Sequence, residues 1–407
     1  MIQTTAINLT NPEPMMVTWD LGRRCNYDCT YCPAHRHDNF SKHATLDELK
    51  NSVDFLFGYI DTYMEHRHLK KDTSISFTGG EPTVNPNFIP FAKYLKEEYE
   101  RRYKDKWHAG FALTSNGAFS QKMADAIIEN MNHITVSFHT EADKKLKKNI
   151  IERILYIHRH NKGRRADDPL HCSISVNVMF HAHPEYFNEC KELCELLHEE
   201  GVKYTPRVIG EEPDSASDFA HKYSQEQLDY MKNYWRNIQK KIDEKTSRQE
   251  VNHQTSAASK DKTAETKKLG MSIGRPCCGQ REMCLSSQGQ DRTSTFVDMR
   301  EFKGWHCSVN WFFLHLEQQT DQVFHHQTCQ AKFDGTRGPI GKISEGQKII
   351  DDLKANMEAK TMPTVICPKH TCGCGLCAPK SLHKENYEKV LLNHVTPTVF
   401  ENSLLKK

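Results

Sequence analysis

Long apolar runs are missing from this 407-residue chain. No stretch approaches the about 18 residues that carry a helix across a bilayer, so a membrane span is not expected. The opening residues, MIQTTAINLTNPEP, lack a basic segment followed by an apolar one, and no secretory signal is read there. Net charge is scant as well: 55 Lys and Arg against 53 Asp and Glu leave +2. That balance gives no clear electrostatic case for nucleic acid or a membrane surface as partner. No internal repeat is evident. What the chain does have is 37% hydrophobic residues against 27% charged ones, enough for a packed core, and a length that suits two or three domains. It also has 15 Cys and 23 His. In a chain without a secretory signal this richness points to metal or cluster ligation rather than disulfides, and to a cytoplasmic setting.

The cysteines fall into groups. Cys25, Cys29 and Cys32 form a tight N-terminal set; Cys172, Cys190 and Cys194 are scattered; Cys277, Cys278, Cys284, Cys307, Cys329, Cys367, Cys372, Cys374 and Cys377 crowd the last third. Between the groups, β-rich runs at 16–21, 74–78, 110–114, 134–138, 173–180 and 202–209 are mostly followed by stretches of helical spacing. Thr45 and Glu48 make a capping box, Ser120 opens a second helix, Pro184 suits a first turn, and Ser224 leads into a further helix. Six strand-then-helix units predict an α/β fold with a parallel sheet, a partial TIM-like barrel two units short of closure. Residues 15–245 would form this barrel. Residues 246–272 read as a polar linker or flexible insertion, with no aromatic residue from 246 to 270. Residues 273–380 would form a Cys-rich domain with a hairpin at 311–316 and 322–326 and a helix at 345–359, and 381–407 a tail.

Cys25-Asn-Tyr-Asp-Cys29-Thr-Tyr-Cys32 places three thiolates in eight residues, on the loop after the first strand. Three thiolates hold three irons of a cubane cluster and leave the fourth without a protein ligand; a zinc knuckle is the competing reading. The loop lies at the C-terminal end of a barrel strand, where such folds place their chemistry. The next strand ends in Thr78-Gly79-Gly80-Glu81-Pro82, where two glycines let backbone approach a ligand closely.

These two motifs together resemble the radical S-adenosylmethionine (SAM) superfamily, over about residues 15–245. The resemblance implies that Cys25, Cys29 and Cys32 bind a 4Fe–4S cluster whose open iron is chelated by SAM. It implies Tyr31 near the adenine, and Gly79, Gly80 and Glu81 near the methionine amino group. Asn116, Ser137, Asn177 and Arg207 fall at strand ends and are candidates to hold the ribose and carboxylate; each could equally serve as a turn, cap or surface residue. The chemistry implied is one-electron reduction, cleavage of SAM to a 5′-deoxyadenosyl radical, and hydrogen abstraction from a substrate. An electron donor such as flavodoxin or ferredoxin is implied with it.

In the last third, Cys307, a hairpin, Cys329, Ile340-Gly-Lys-Ile343 and the run Cys367, Cys372, Cys374, Cys377 resemble the auxiliary-cluster domains called SPASM or twitch. One or two auxiliary iron–sulfur clusters are implied, with a structural zinc site as the rival. Cys190 and Cys194, at i and i+4, and Cys172 are expected to be buried core thiols. His139 is a candidate acid, base or substrate contact, with His181 and His183 behind it. Lys144, Lys145, Lys147 and Lys148 read as a solvated face. The substrate expected is a ribosomally made peptide, with a small molecule (sugar, amino acid or nucleoside) as alternative and a non-catalytic zinc protein as the remote one.

Overall fold

The computed structural model describes residues 6–7, 15–33, 36–66, 71–161, 163–164, 168, 170–210, 219–231, 233–234, 303–307, 309, 313–325, 338–359, 365–366 and 380–382. In chain order the strands are β1 (Ala6–Ile7), β2 (Met15–Asp20), β3 (Asp72–Thr78), β4 (His108–Ser115), β5 (His133–His139), β6 (Ser173–Phe180), β7 (Lys203–Val208), β8 (His306–Cys307), β9 (Phe313–Glu317), β10 (Gln322–Phe324), β11 (Gly341–Lys342), β12 (Val365–Ile366) and β13 (Lys380–Ser381). The helices are α1 (Leu46–Glu65), α2 (Phe88–Arg102), α3 (Gln121–Asn130), α4 (Lys144–His160), α5 (Pro184–Glu199) and α6 (Gly346–Ala359). Strands β2 to β7 lie side by side in sequence order, all parallel. This is the partial α/β barrel that the six strand–helix units predict.

Local chemistry explains the helix starts. Thr45 Oγ1 accepts the Glu48 amide and Glu48 reaches back to the Thr45 amide, closing the box on α1. Ser120 accepts the Met123 amide at α3, Asp143 caps α4, and Pro184 occupies the first turn of α5. Each side-chain cap contributes about 1 kcal/mol. Strands β2 to β6 alternate strictly between buried and more open positions. The buried set faces the helices: Trp19 packs edge-on to Phe91 and tilted on Phe77, with ring centroids 5.4 and 5.7 Å away. Cys172, Cys190 and Cys194 are fully buried in this layer, as expected of core thiols.

The other face of the sheet is polar. Thr18, Ser76, Thr135, Ser137, Ser175, Asn177 and Thr205 occupy the partly exposed alternate positions, and the parallel registers put them on one side. At the lower end His133 bridges hydroxyls, with Nδ1 2.7 Å from Ser173 Oγ and Nε2 3.1 Å from both Thr135 Oγ1 and Ser175 Oγ. Barrel interiors are usually filled by branched apolar side chains. Here the inner wall offers hydroxyls and amides instead.

The sheet does not end at β2. Strand β9 pairs with it in parallel, β10 returns antiparallel to β9, and β11 follows antiparallel to β10. The hairpin expected within the Cys-rich segment therefore forms, and it extends the core sheet. Gln318 Oε1 fastens the join by accepting from Trp19 Nε1 (3.2 Å) and Ser52 Oγ (2.9 Å). Helix α6 lies on α1 beside Phe55 and Gly58. The physical reason is edge protection: β2 would otherwise present an unpaired row of amides and carbonyls. A second, antiparallel sheet runs β1-β13-β8-β12. Residues 246–272, Cys277, Cys278, Cys284, Cys329, Cys367, Cys372, Cys374, Cys377 and the tail after Leu382 lie outside the described residues.

Candidate functional site

The Cys25–Cys32 loop sits where β2 ends, at the C-terminal mouth of the parallel strands. Its first residues are clasped on two sides. Toward β3, the Leu21 amide donates to Thr78 O, the Gly80 amide to Gly22 O (2.8 Å) and the Glu81 amide to Arg24 O (2.9 Å). Toward residue 38, the Cys25 amide donates to Asp38 O (2.7 Å) and the Asp38 amide to Arg23 O. A Cβ on Gly80 would lie 2.2 Å from Arg23 O and 2.5 Å from Arg24 O, and one on Gly79, at φ +134°, 2.3 Å from Gly22 O. The glycine pair is thus required by the approach of the chain to itself. The Gly80 and Glu81 amides are occupied by that contact, and the Glu81 carbonyl accepts the Val84 amide at 3.3 Å.

Glu81 is buried, and its carboxylate accepts from the Thr83 amide and hydroxyl, Ser115 Oγ (2.8 Å) and the Asn116 amide (2.6 Å). Burial raises its carboxyl above the usual range, and these donors offset part of that rise. The side chain therefore ties the ends of β3 and β4 together. Asn116 in turn donates from Nδ2 to Asn26 Oδ1 (2.7 Å), with Cys25 Sγ 3.9 Å away, bracing the cysteine loop from the β4 side.

The far half of the loop packs on the ends of β6 and β7. Cys29 and Tyr31 are buried with Ile209 and Ala220, and Tyr27, Cys32 and Met179 pack against them. Burial pushes the Cys29 thiol up to about 12, and the neighbouring Glu141, Cys32 and Cys25 push in the same direction. Burial likewise raises Cys25. A buried thiol such as Cys29, raised further by the charges beside it, becomes a thiolate readily only next to a cation, and an iron–sulfur cubane held at three of its four irons fits three such ligands. The donor set and its crowding therefore fit the group.

Tyr31 shares a 2.5 Å hydrogen bond with His139 Nδ1, and the two rings stack with centroids 5.8 Å apart. Burial lowers His139 to about 4, so the ring is neutral near pH 7. His139 thus fixes the Tyr31 ring. His181, buried, accepts the His183 amide on Nδ1 and faces Glu141 from Nε2 at 3.2 Å, while His183 is exposed at the start of α5. Ser137 and Asn177 stand side by side on the inner wall, and Arg207 donates to Asn177 Oδ1 at 3.3 Å. Lys144, Lys145 and Lys148 are exposed as expected, but Lys147 is drawn in by Glu189 at 2.7 Å and Thr140 O. Cys307 is buried on β8.

Two features went unread in the sequence. Glu141 accepts the Thr30 amide (2.7 Å) and hydroxyl (2.5 Å) at the centre of the cysteine loop and holds His181 as well. Burial alone would raise its carboxyl, but the His181 and Thr30 bonds outweigh that and hold it below the usual range. Its only sequence signal is a carboxylate two residues beyond a strand end. Replacing Glu141 by Ala leaves the Thr30 donors and His181 without this acceptor. A loss of about 1–3 kcal/mol by urea unfolding is expected, with Gln recovering part of it. The second feature is Asp20, His315 and Glu317, whose donor atoms lie within 4.8 Å of one another on β2 and β9. Only the pairing of distant strands brings them together.

Comparison with known proteins agrees with this geometry. Residues 19–202 match the family model described as the Radical SAM superfamily. An uncharacterized protein of Methanocaldococcus jannaschii is 30% identical over 108 residues, 26% of this chain; the chain spans about a third (32%) of that relative's length. Among solved structures, hexahistidine-tagged anSMEcpe with bound AdoMet shares the fold at a TM-score of 0.50 and 12% identity, over 95% of this chain and 97% of that one. Native anSMEcpe with bound AdoMet and Kp18Cys peptide gives 0.50 and 12%, over 94% and 97%. No helix among the described residues is long and apolar enough to cross a membrane. With three cysteines clasped at the mouth of a partial barrel, beside a Gly-Gly-Glu-Pro turn, the chain carries a domain of the radical SAM superfamily over residues 19–202.

Proposed function

We propose that the chain is an iron–sulfur enzyme that cleaves SAM and modifies a peptide. The observation that carries the reading is the crowding of Cys25, Cys29 and Cys32 in one clasped loop above a polar inner wall. When bound, the 4Fe–4S cluster and SAM supply a 5′-deoxyadenosyl radical that takes hydrogen from the substrate. This chain's residues place and shield that chemistry. Tyr31, held by His139, would lie beside the adenine, and Gly79, Gly80 and Glu81 near the methionine amino group. Asn116 braces the loop from its amide, while Ser137, Asn177 and Arg207 offer polar groups at the mouth. Cys307, with Cys329, Cys367, Cys372, Cys374 and Cys377, is assigned to one or two auxiliary clusters.

The peptide assignment is supported by the shared fold with a protein whose structure holds AdoMet and a peptide. The hydroxyl- and amide-lined inner wall favours the second reading, a small polar molecule. Reconstituted protein reduced with dithionite and given SAM is expected to form 5′-deoxyadenosine. Incubation with candidate peptides and with sugars or nucleosides, read by mass spectrometry, separates the two substrate classes. Absence of 5′-deoxyadenosine in every condition sinks the reading as a whole.

A further inference from the structure

We propose that Asp20, His315 and Glu317 form a binding site for one divalent cation of the manganese type, on the inner wall of the barrel. The inference stands apart from the iron–sulfur reading, because none of the three residues belongs to the cysteine loop or to the 79–81 turn. Strands β2 and β9 bring them together: their parallel register sets Thr18 opposite His315 and Asp20 opposite Glu317. Side chains two residues apart on a strand share a face. Trp19, between Thr18 and Asp20, packs on Phe91 of α2, so its two neighbours point the other way. Asp20, His315 and Glu317 therefore all stand on the polar inner face. Asp20 is five residues ahead of Cys25 and pairs with Thr78, which places the cluster at the mouth of the strands.

The spacing is that of a ligand set. His315 is 1% exposed, and its Nε2 lies 3.2 Å from Asp20 Oδ2 and 3.8 Å from Glu317 Oε1. One donor atom from each residue lies within 4.8 Å of the other two. Ligand atoms held about 2.0–2.2 Å from one ion stand roughly 3–3.5 Å from each other, close to this arrangement. Thr320 Oγ1 donates to Glu317 Oε2 at 3.1 Å, which leaves Oε1 turned to the imidazole. Gln318 fastens the strands that carry the cluster through Trp19 and Ser52. The donors are thus held near their working positions before an ion arrives.

Charge points the same way. Two carboxylates in register on neighbouring strands repel each other. Protonation of His315 supplies one positive charge, and an Nε2 proton 3.2 Å from Asp20 and 3.8 Å from Glu317 makes a hydrogen bond to Asp20 alone. A dication balances both carboxylates and takes the imidazole as a neutral third ligand. Two carboxylate oxygens with one imidazole suit Mn2+, whereas soft thiolates select zinc and iron–sulfur clusters. The Asp20 and Glu317 side chains are each 24% exposed. An ion held there keeps coordination positions open to water or to an oxygen donor of the substrate.

The test is a titration of the full, reconstituted and desalted chain with Mn2+, the free ion being read from its EPR signal. Thiolates compete weakly for this ion, so the cysteines do not obscure the count. Wild type is expected to bind one Mn2+ per chain saturably. Asp20→Asn, Glu317→Gln and His315→Gln are each expected to weaken that binding by about tenfold or more. The two carboxamides keep the side-chain shape and remove the repulsion, so they carry the test even where His315→Gln fails to fold. Mn2+ should also raise the urea midpoint of wild type and leave that of Asp20→Asn in place. A wild type without a saturable site overturns the proposal, as does wild-type affinity in either Asp20→Asn or Glu317→Gln; the trio is then an ion pair only. Absence of 5′-deoxyadenosine would sink the enzyme reading instead, while the Mn2+ count still reads this site.

Discussion

Replacing Cys25, Cys29 and Cys32 together by Ala should remove about four irons per chain after anaerobic reconstitution and abolish 5′-deoxyadenosine formation. Burial, with Glu141, Cys32 and Cys25 nearby, pushes Cys29 up to about 12, and burial raises Cys25 as well, so conversion to thiolates is favoured by the cluster's positive charge. Loading should accordingly release protons and weaken as pH falls. Iron and sulfide counts on wild type and triple variant make the measurement. Irons that remain in the variant would count any auxiliary clusters held by the other cysteines. Wild-type protein that holds zinc and no iron, and leaves SAM intact, would return the loop to the zinc-knuckle reading.

The second large effect is expected from Gly80→Ala. Its Cβ would lie 2.2 and 2.5 Å from two backbone carbonyl oxygens, which have no rotamer to escape into. Accommodation must separate the 79–81 turn from residues 22–24, and that breaks the Gly80–Gly22 and Glu81–Arg24 hydrogen bonds. Overpacking and the lost bonds together should destabilise the fold by about 3 kcal/mol or more. Gly210, with nothing within 4 Å of an added Cβ, is the control. Urea unfolding of Gly80→Ala and Gly210→Ala checks this. Equal midpoints would show that the turn is not held against the cysteine loop as described.

Much of the architecture was legible because its signals are local. The capping box at Thr45, the Ser120 cap, Pro184 and the six β-rich runs each report on their immediate neighbours, and each is found where the sequence places it. Strand ends differ by a residue or two, as at His133–His139 for the run read at 134–138. The hairpin of β9 and β10 was also legible, being a local return of the chain. Its partner was not. That β9 lies parallel to β2 is a pairing across almost 300 residues, and no periodicity in either strand encodes it.

The same division runs through the site. Cysteine spacing and the Gly79–Pro82 run identified the radical SAM domain, because ligands on one loop are fixed by short-range geometry. The glycines also serve a purpose that the sequence did not offer: they admit the 22–24 backbone. The inward turn of Glu81, the Tyr31–His139 pair and the Glu141 hub depend on where neighbouring strand ends stand relative to one another. So does the meeting of Asp20 with His315 and Glu317. By itself the sequence determined the parallel α/β core, the cysteine loop and the radical SAM domain over residues 19–202, since each is written in contiguous residues. Only the tertiary structure decided which side chains brace the loop, which face of the sheet is polar and which edge β9 covers, because those follow from contacts between segments that the chain order keeps apart.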